Sequence, residues 1–324
     1  MNTPFDLRFY GLPPELQIAP SEFEAWSQAQ LLKEQDASMP NAPLYHYTGE
    51  EALKGILTHE KLWCFGHEYQ TDREEFGYSM KIARQVIAEV GKSTDGPTKQ
   101  FCDCLIDILD NNSFSSTFEF YLFSLSRHED DPQQWRDFGQ QGRGFALGLS
   151  PTLFTPNEMK LKEQANENLF VGRVIYGDAA TEARHRLVIE KAASITSGVV
   201  WANRSLVTTI GPNTYLTYLK AMVDEVIASQ LIWNCLTSKR DDYANEREVR
   251  FIVMNVVASF DRFRKVFNGK TYVEAPLPLK AKGSIKQILV GTDAPIDAEN
   301  MVLDLLKING YPNDIPVRRS SAIV

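Results

Sequence analysis

The stretch Leu44-Tyr45-His46-Tyr47-Thr48, which runs without a linker into Gly49-Glu50-Glu51-Ala52-Leu53-Lys54-Gly55-Ile56-Leu57, constrains the fold more than any other part of the chain. Side chains alternate along a strand, so Leu44, His46 and Thr48 share one face and Tyr45 and Tyr47 the other. Thr48 followed by Glu51 has the spacing of a capping box, which predicts a helix from about Gly49. Leu53, Ile56 and Leu57 then recur at helical spacing and can pack on the sheet that holds the strand. The junction delivers one histidine, His46, to the mouth of a helix. Such a histidine is either a hydrogen-bonded strand residue or a ligand for ribose or phosphate.

The rest of the chain supplies helices and strands without a regular strand-helix-strand rhythm. Ser21 with Glu24 predicts a helix to about Asp36 inside a Pro-punctuated extension, residues 1–43, and a main domain over 44–324. Strands are expected at Lys61–Phe65, Phe118–Ser126, Gly144–Leu149, Arg173–Gly177, Glu246–Met254 and Ile285–Gly291, with a last one near Ile315. Helical stripes run through Met80, Ala83, Val86, Ile87 and Val90, through Phe101, Leu105, Ile108 and Leu109, from Thr214 to Leu236, and from Met301 to Ile308. This mixture favours an α+β architecture.

Composition removes several classes of function. With 34 basic and 42 acidic residues the formal net charge is -8, which disfavours a protein built mainly to grip nucleic acid, although a local basic groove stays open. Cys64, Cys102, Cys104 and Cys235 form neither a zinc knuckle nor a C-x-x-C pair, and read as reduced thiols of a cytoplasmic protein. No apolar run is long enough for a membrane span, and the first residues do not read as a cleaved signal; export by another route stays open. The five histidines have no zinc-binding spacing. Gly91-Lys92-Ser93 lacks the first glycine of a P-loop, and neither G-x-G-x-x-G nor G-x-S-x-G occurs.

Glu246 to Met254 carries the strongest chemical pattern. As a continuous strand it would place Glu246, Glu248 and Arg250 on one face and Val249, Phe251 and Val253 on the other. Adjacent glutamates would raise each other's pKa while Arg250 offsets the repulsion, an arrangement suited to a cationic sugar intermediate. A solvated strand face is the plainer alternative. Ser124 and Ser126 end a buried strand and need hydrogen-bond partners there; Trp135 reads either as a site residue or as satellite core.

Taken together, His46-Tyr47-Thr48 with its helix, Phe123-Ser124-Leu125-Ser126, and the late Glu246-x-Glu248 strand resemble the three-part pattern of the ADP-ribosyltransferase superfamily. More closely, Tyr45-x-Tyr47-Thr48, Thr71-Asp72-Arg73-Glu74-Glu75, Trp135, Gly144-Phe145-Ala146-Leu147-Gly148 and Tyr243 to Arg250 resemble a bacterial domain-of-unknown-function family within or near it. The resemblance implies a split β-sheet core with surrounding helices and NAD as co-substrate. It assigns His46, Tyr47 and Thr48 to the NAD site, Ser124, Ser126, Trp135 and Arg250 to its lining or support, and Glu248 to stabilising the oxocarbenium-like transition state. Glu246 would act on the acceptor. It further implies an acceptor that is a protein side chain, a nucleic acid or water, with a protein side chain expected first, as in a toxin or effector, and no membrane partner. Two rivals accompany it: an inert nucleotide- or protein-binding module of the same fold, and a magnesium-dependent phosphoesterase or nuclease built on Asp72, Glu75 and Glu248.

Overall fold

The computed structural model describes residues 12–38, 41–69, 74–92, 96–110, 118–154, 168–256 and 263–324. Asp72 and its neighbours Thr71 and Arg73 lie outside them. The chain is mixed α and β, and it divides into two interleaved units, one formed by 1–33, 72–118 and 175–241, the other by 34–71, 119–174 and 242–324. No helix among the described residues is long and apolar enough to cross a membrane.

The first unit is helical. Its elements are α1 (Pro14–Ser38), α3 (Glu75–Lys92), α4 (Pro97–Asp110), α6 (Asp178–Ala202), α7 (Arg204–Thr209), α8 (Gly211–Val226) and α9 (Ile232–Leu236), with one π-turn, Ile227–Leu231, between the last two. The helix expected from Ser21 begins instead at Pro14, and Pro20 lies inside it. Leu16, Ala19 and Phe23 are wholly buried, so packing of that face holds the turn that Pro20 deprives of one hydrogen bond. Ser79 of α3 contacts the imidazole of His185 on α6 at 2.9 Å, with both side chains sealed from solvent. A short parallel pair, β6 (Ile175–Tyr176) with β7 (Ser238–Lys239), completes the unit.

The second unit is built on a ten-stranded mixed sheet: β1 (Leu44–Thr48), β2 (Lys61–Gly66), β3 (Phe118–Ser126), β4 (Phe145–Leu149), β5 (Asn168–Arg173), β8 (Glu248–Val256), β9 (Lys265–Phe267), β10 (Lys270–Pro276), β11 (Ile285–Val290) and β12 (Val317–Arg319). One path runs β12-β11-β4-β1-β3-β2-β10-β9, and β8 joins it through β3 while also pairing β5. The resolved registers are antiparallel except β11 with β12.

One sheet face buries Leu44, Leu62, Cys64, Phe123, Leu125, Leu147, Val249, Phe251 and Val273 under α2 (Glu50–His59) and α10 (Ala298–Ile308), whose Leu53, Ile56, Leu57, Val302 and Leu306 join the same core. Burying these side chains contributes roughly 1.5–3 kcal/mol each before conformational entropy is charged against it. The opposite face holds a smaller cluster, Tyr45, Tyr47, Trp135, Ala146, Leu289 and Ala322.

Candidate functional site

β1 lies between β3 and β4, with Tyr45 opposite Ser126 on one side and Gly148 on the other. The alternation read from the sequence holds: Leu44 enters the larger core, and Tyr45 and Tyr47 enter the smaller one. His46 shares the Leu44 face. Its ring lies 4.3 Å from that of Phe123, and Nδ1 is 3.3 Å from the Ser124 carbonyl oxygen. A carbonyl only accepts, so Nδ1 is assigned as the protonated nitrogen. Burial pushes the imidazole pKa down to about 4, and the bond to Ser124 only partly opposes this. At neutral pH His46 is therefore an uncharged ring tied to the neighbouring strand.

Tyr47 points the other way. Its hydroxyl donates to the His128 carbonyl at 3.1 Å and accepts from the Asp131 amide at 3.2 Å. Desolvation raises its pKa well above the ordinary tyrosine range, so it stays protonated. The ring meets Trp135 edge-on, with centroids 5.0 Å apart. Trp135 is wholly buried on α5 (Pro132–Asp137), whose start is capped by Asp131 accepting from the amides of Gln133 and Gln134 at 2.9 and 3.0 Å. The indole nitrogen donates to Asp130 Oδ1 at 2.7 Å. Asp130 also accepts from the Ser320 hydroxyl and, at 2.9 Å, from the Ser321 amide. Burial opposes its ionisation, yet these hydrogen bonds together hold the carboxyl below its ordinary value. Trp135 is thus core, and Asp130, absent from the sequence-derived site, is the hub that fixes it.

The capping box expected at Thr48 and Glu51 does not form. The N-cap of α2 is Gly49, with extended backbone and no side-chain hydrogen bond. Thr48 is instead the last residue of β1, paired with Phe145, and its carbonyl lies so close to Gly144 that a Cβ there would stand 2.3 Å away. The sheet claims the residue, and the helix starts one position later than a threonine cap would set it.

Ser124 and Ser126 alternate with Phe123 and Leu125 and so stand on the face opposite the large core. The Ser126 hydroxyl donates to the Glu246 carbonyl at 3.1 Å and accepts from the His128 amide at 3.1 Å. The Arg127 amide donates to the Arg247 carbonyl at 3.2 Å. These bonds clamp the start of β8 to the end of β3.

Glu246 does not share a strand face with Glu248. It ends a 3-10 turn, Asp241–Glu246, and Arg247 follows with φ of 42°, so the two-residue alternation begins only at Glu248. No repulsive glutamate pair arises from that alternation. Glu248 and Arg250 flank Val249 on the Ser124 face, 4% and 1% exposed, and form a two-pronged ion pair: Nε to Oε1 at 2.8 Å and Nη2 to Oε2 at 2.9 Å. The Arg250 guanidinium is therefore committed to a carboxylate rather than offered to a phosphate. His46 and Glu248, expected to act as a joint pair, stand on opposite faces of the sheet, because Leu44 and Val249 both point into the same core.

Among the described residues no group of three or more His, Cys, Asp or Glu side chains could hold a metal ion. Glu75 is buried in the helical unit and pairs with Lys239 at 3.5 Å.

No curated protein and no solved structure matches the chain. Residues 134–251, from Gln134 through Phe251, match the family model described as a protein of unknown function (DUF2971).

Proposed function

We propose that the sheet unit binds NAD and transfers its ADP-ribose to an acceptor, releasing nicotinamide. One arrangement carries the reading: β3 has both β1 and β8 as hydrogen-bonded neighbours, so the His46, Ser124–Ser126 and Glu248 segments, drawn from distant parts of the chain, adjoin in the sheet. On this reading Glu248 is the carboxylate that stabilises positive charge developing at the ribose as the bond to nicotinamide breaks. Arg250 holds it in a two-pronged ion pair, and must loosen from it when the dinucleotide enters. Ser124 and Ser126 line the same face. His46 acts from behind as a positioning residue through the Ser124 carbonyl, while Tyr47, Thr48 and Trp135 shape the end of β1. Glu246, in the turn ahead of β8, orients the acceptor, for which a protein side chain is proposed.

The test is calorimetric binding of NAD together with chromatographic measurement of released nicotinamide. Glu248→Gln should lower nicotinamide release by about 10²–10³-fold, with NAD still bound. Ser124→Ala, a milder change, should lower it less and leave the melting temperature unaltered. Release that persists undiminished in both variants rules the assignment out.

The ion pair itself favours a second reading. A carboxylate whose two oxygens both accept from one buried guanidinium belongs equally to a catalytically inert module that binds a nucleotide or a protein. NAD bound without nicotinamide release selects that reading.

A further inference from the structure

The segment from Arg262 to Lys270 holds four basic residues and no acidic one in a chain of net charge -8. The described part of it forms β9 and the turn into β10. Asn268 and Gly269 both have positive φ, 48° and 75°, as a two-residue hairpin turn requires. The hairpin stands clear of the core. Val266 on one face is 68% exposed and Phe267 on the other 49%, and β9 ends the strand path of the sheet.

The Phe267 face continues inward as an aromatic row. Register places Lys265 opposite Tyr272, Tyr272 opposite Phe65, and Glu274 opposite Trp63, so all five share a face with Phe267 and Lys270. Trp63 stacks on Tyr272 with centroids 4.3 Å apart, and Phe267 meets Trp63 edge-on at 5.2 Å. Three lysines border the row against one carboxylate. Lys61 and Lys265 both reach Glu274, at 2.7 and 2.9 Å, and Lys270 makes no ion pair among the described residues. The nearby Glu68 bonds Thr271, on the opposite face of the hairpin.

We propose that this face of the hairpin binds single-stranded nucleic acid, with bases stacked on Phe267 and Trp63 and phosphates against Lys61, Lys265 and Lys270. The exposed Phe267 ring and the half-buried Trp63 beside it, bordered by more lysines than carboxylates, match a polyanion that carries flat apolar groups. An acidic peptide leaves the rings without a function, a duplex hides its base faces, and a second copy of this chain would set two basic hairpins against each other. The inference is independent of the ADP-ribose reading.

The experiment measures fluorescence anisotropy of a labelled oligothymidine of about 12 nucleotides with the full chain, across a range of salt. Affinity should fall with salt at a log-log slope of about -2, the value for three neutralised phosphates on a single strand. Phe267→Ala should weaken binding roughly tenfold, within the range for loss of one stacked base, at unchanged melting temperature. Lys270→Glu should weaken binding and flatten the salt slope. No binding at low salt, binding that neither variant alters, or equal competition by polyglutamate overturns the proposal.

Discussion

Arg250 closes both donors of its guanidinium edge on the carboxylate of Glu248, two residues earlier on the same strand face, with almost no solvent reaching either side chain. Removing one member strands a buried charge, whereas replacing both with apolar groups does not. Arg250→Met should therefore lose about 3 kcal/mol or more of unfolding free energy by urea denaturation, and Glu248→Leu with Arg250→Met should recover most of it. A single variant that costs less than about 1 kcal/mol would show that the pair adds little to the fold.

Two histidines, His46 half-buried and His185 wholly buried, predict how stability responds to acid. Burial brings His46 to about 4; burial foremost, then the charge of Arg184, bring His185 to about 3, with the bond to Ser79 opposing. Both lie below the unfolded value of about 6.5, so the unfolded chain takes up protons first. Their neutral packing is fully stabilising above about pH 6.5 and is lost as pH falls toward 4 and then 3. Urea midpoints should decline across that window, and His185→Gln should flatten the decline. An unchanged profile in that variant refutes the assignment.

Trp135 joins the apolar cluster to a polar hub. Trp135→Phe leaves most of the ring volume but deletes the donor to Asp130, and should cost about 1–3 kcal/mol. Asp130→Asn tests the same hub from the other side. Both should speed proteolysis of the segment around Ser320 and Ser321, which Asp130 holds. A segment equally protected in both variants would show that other contacts secure it.

Gly144 is a steric prediction. A Cβ there would stand 2.3 Å from the Thr48 carbonyl and 2.9 Å from that of Gly139, both backbone atoms that cannot swing aside. Gly144→Ala should cost about 1–3 kcal/mol, as overpacking does, and detach the end of β1 from β4. Faster amide exchange at Thr48 and Phe145 is the readout.

What the sequence discloses depends on whether the local pattern survives into the structure. Leu44 to Thr48 keeps a strict alternation, and both faces could be read. Glu246 could not: the break at Arg247 is a left-handed backbone at a residue with a side chain, with no glycine to mark it. Thr48 carries a cap signature that the β4 ladder overrides. The 25 residues of α6 escaped because Ala192, Ala193, Ser194, Thr196, Ser197 and Gly198 dilute its apolar stripe, although His185, Val188, Ile189 and Val199 are buried at helical spacing. Asp130 was legible only as part of the acidic run Glu129-Asp130-Asp131 ahead of Pro132. Its partners Ser320 and Ser321 lie too far along the chain for any local pattern to reveal.

The interleaved units bear on how this chain emerges during synthesis. It passes from one unit to the other after residues 33, 71, 118, 174 and 241, so no single cut releases either unit intact. The helical unit lacks α9 until residues beyond 231 have left the ribosome, and the sheet lacks its β8 neighbour until still later. Long-range pairing of this kind delays closure. Fragments ending near residue 200 should be substrates for chaperones rather than independent folds. The family segment, which starts before β4 and stops within β8, takes part of each unit and completes neither.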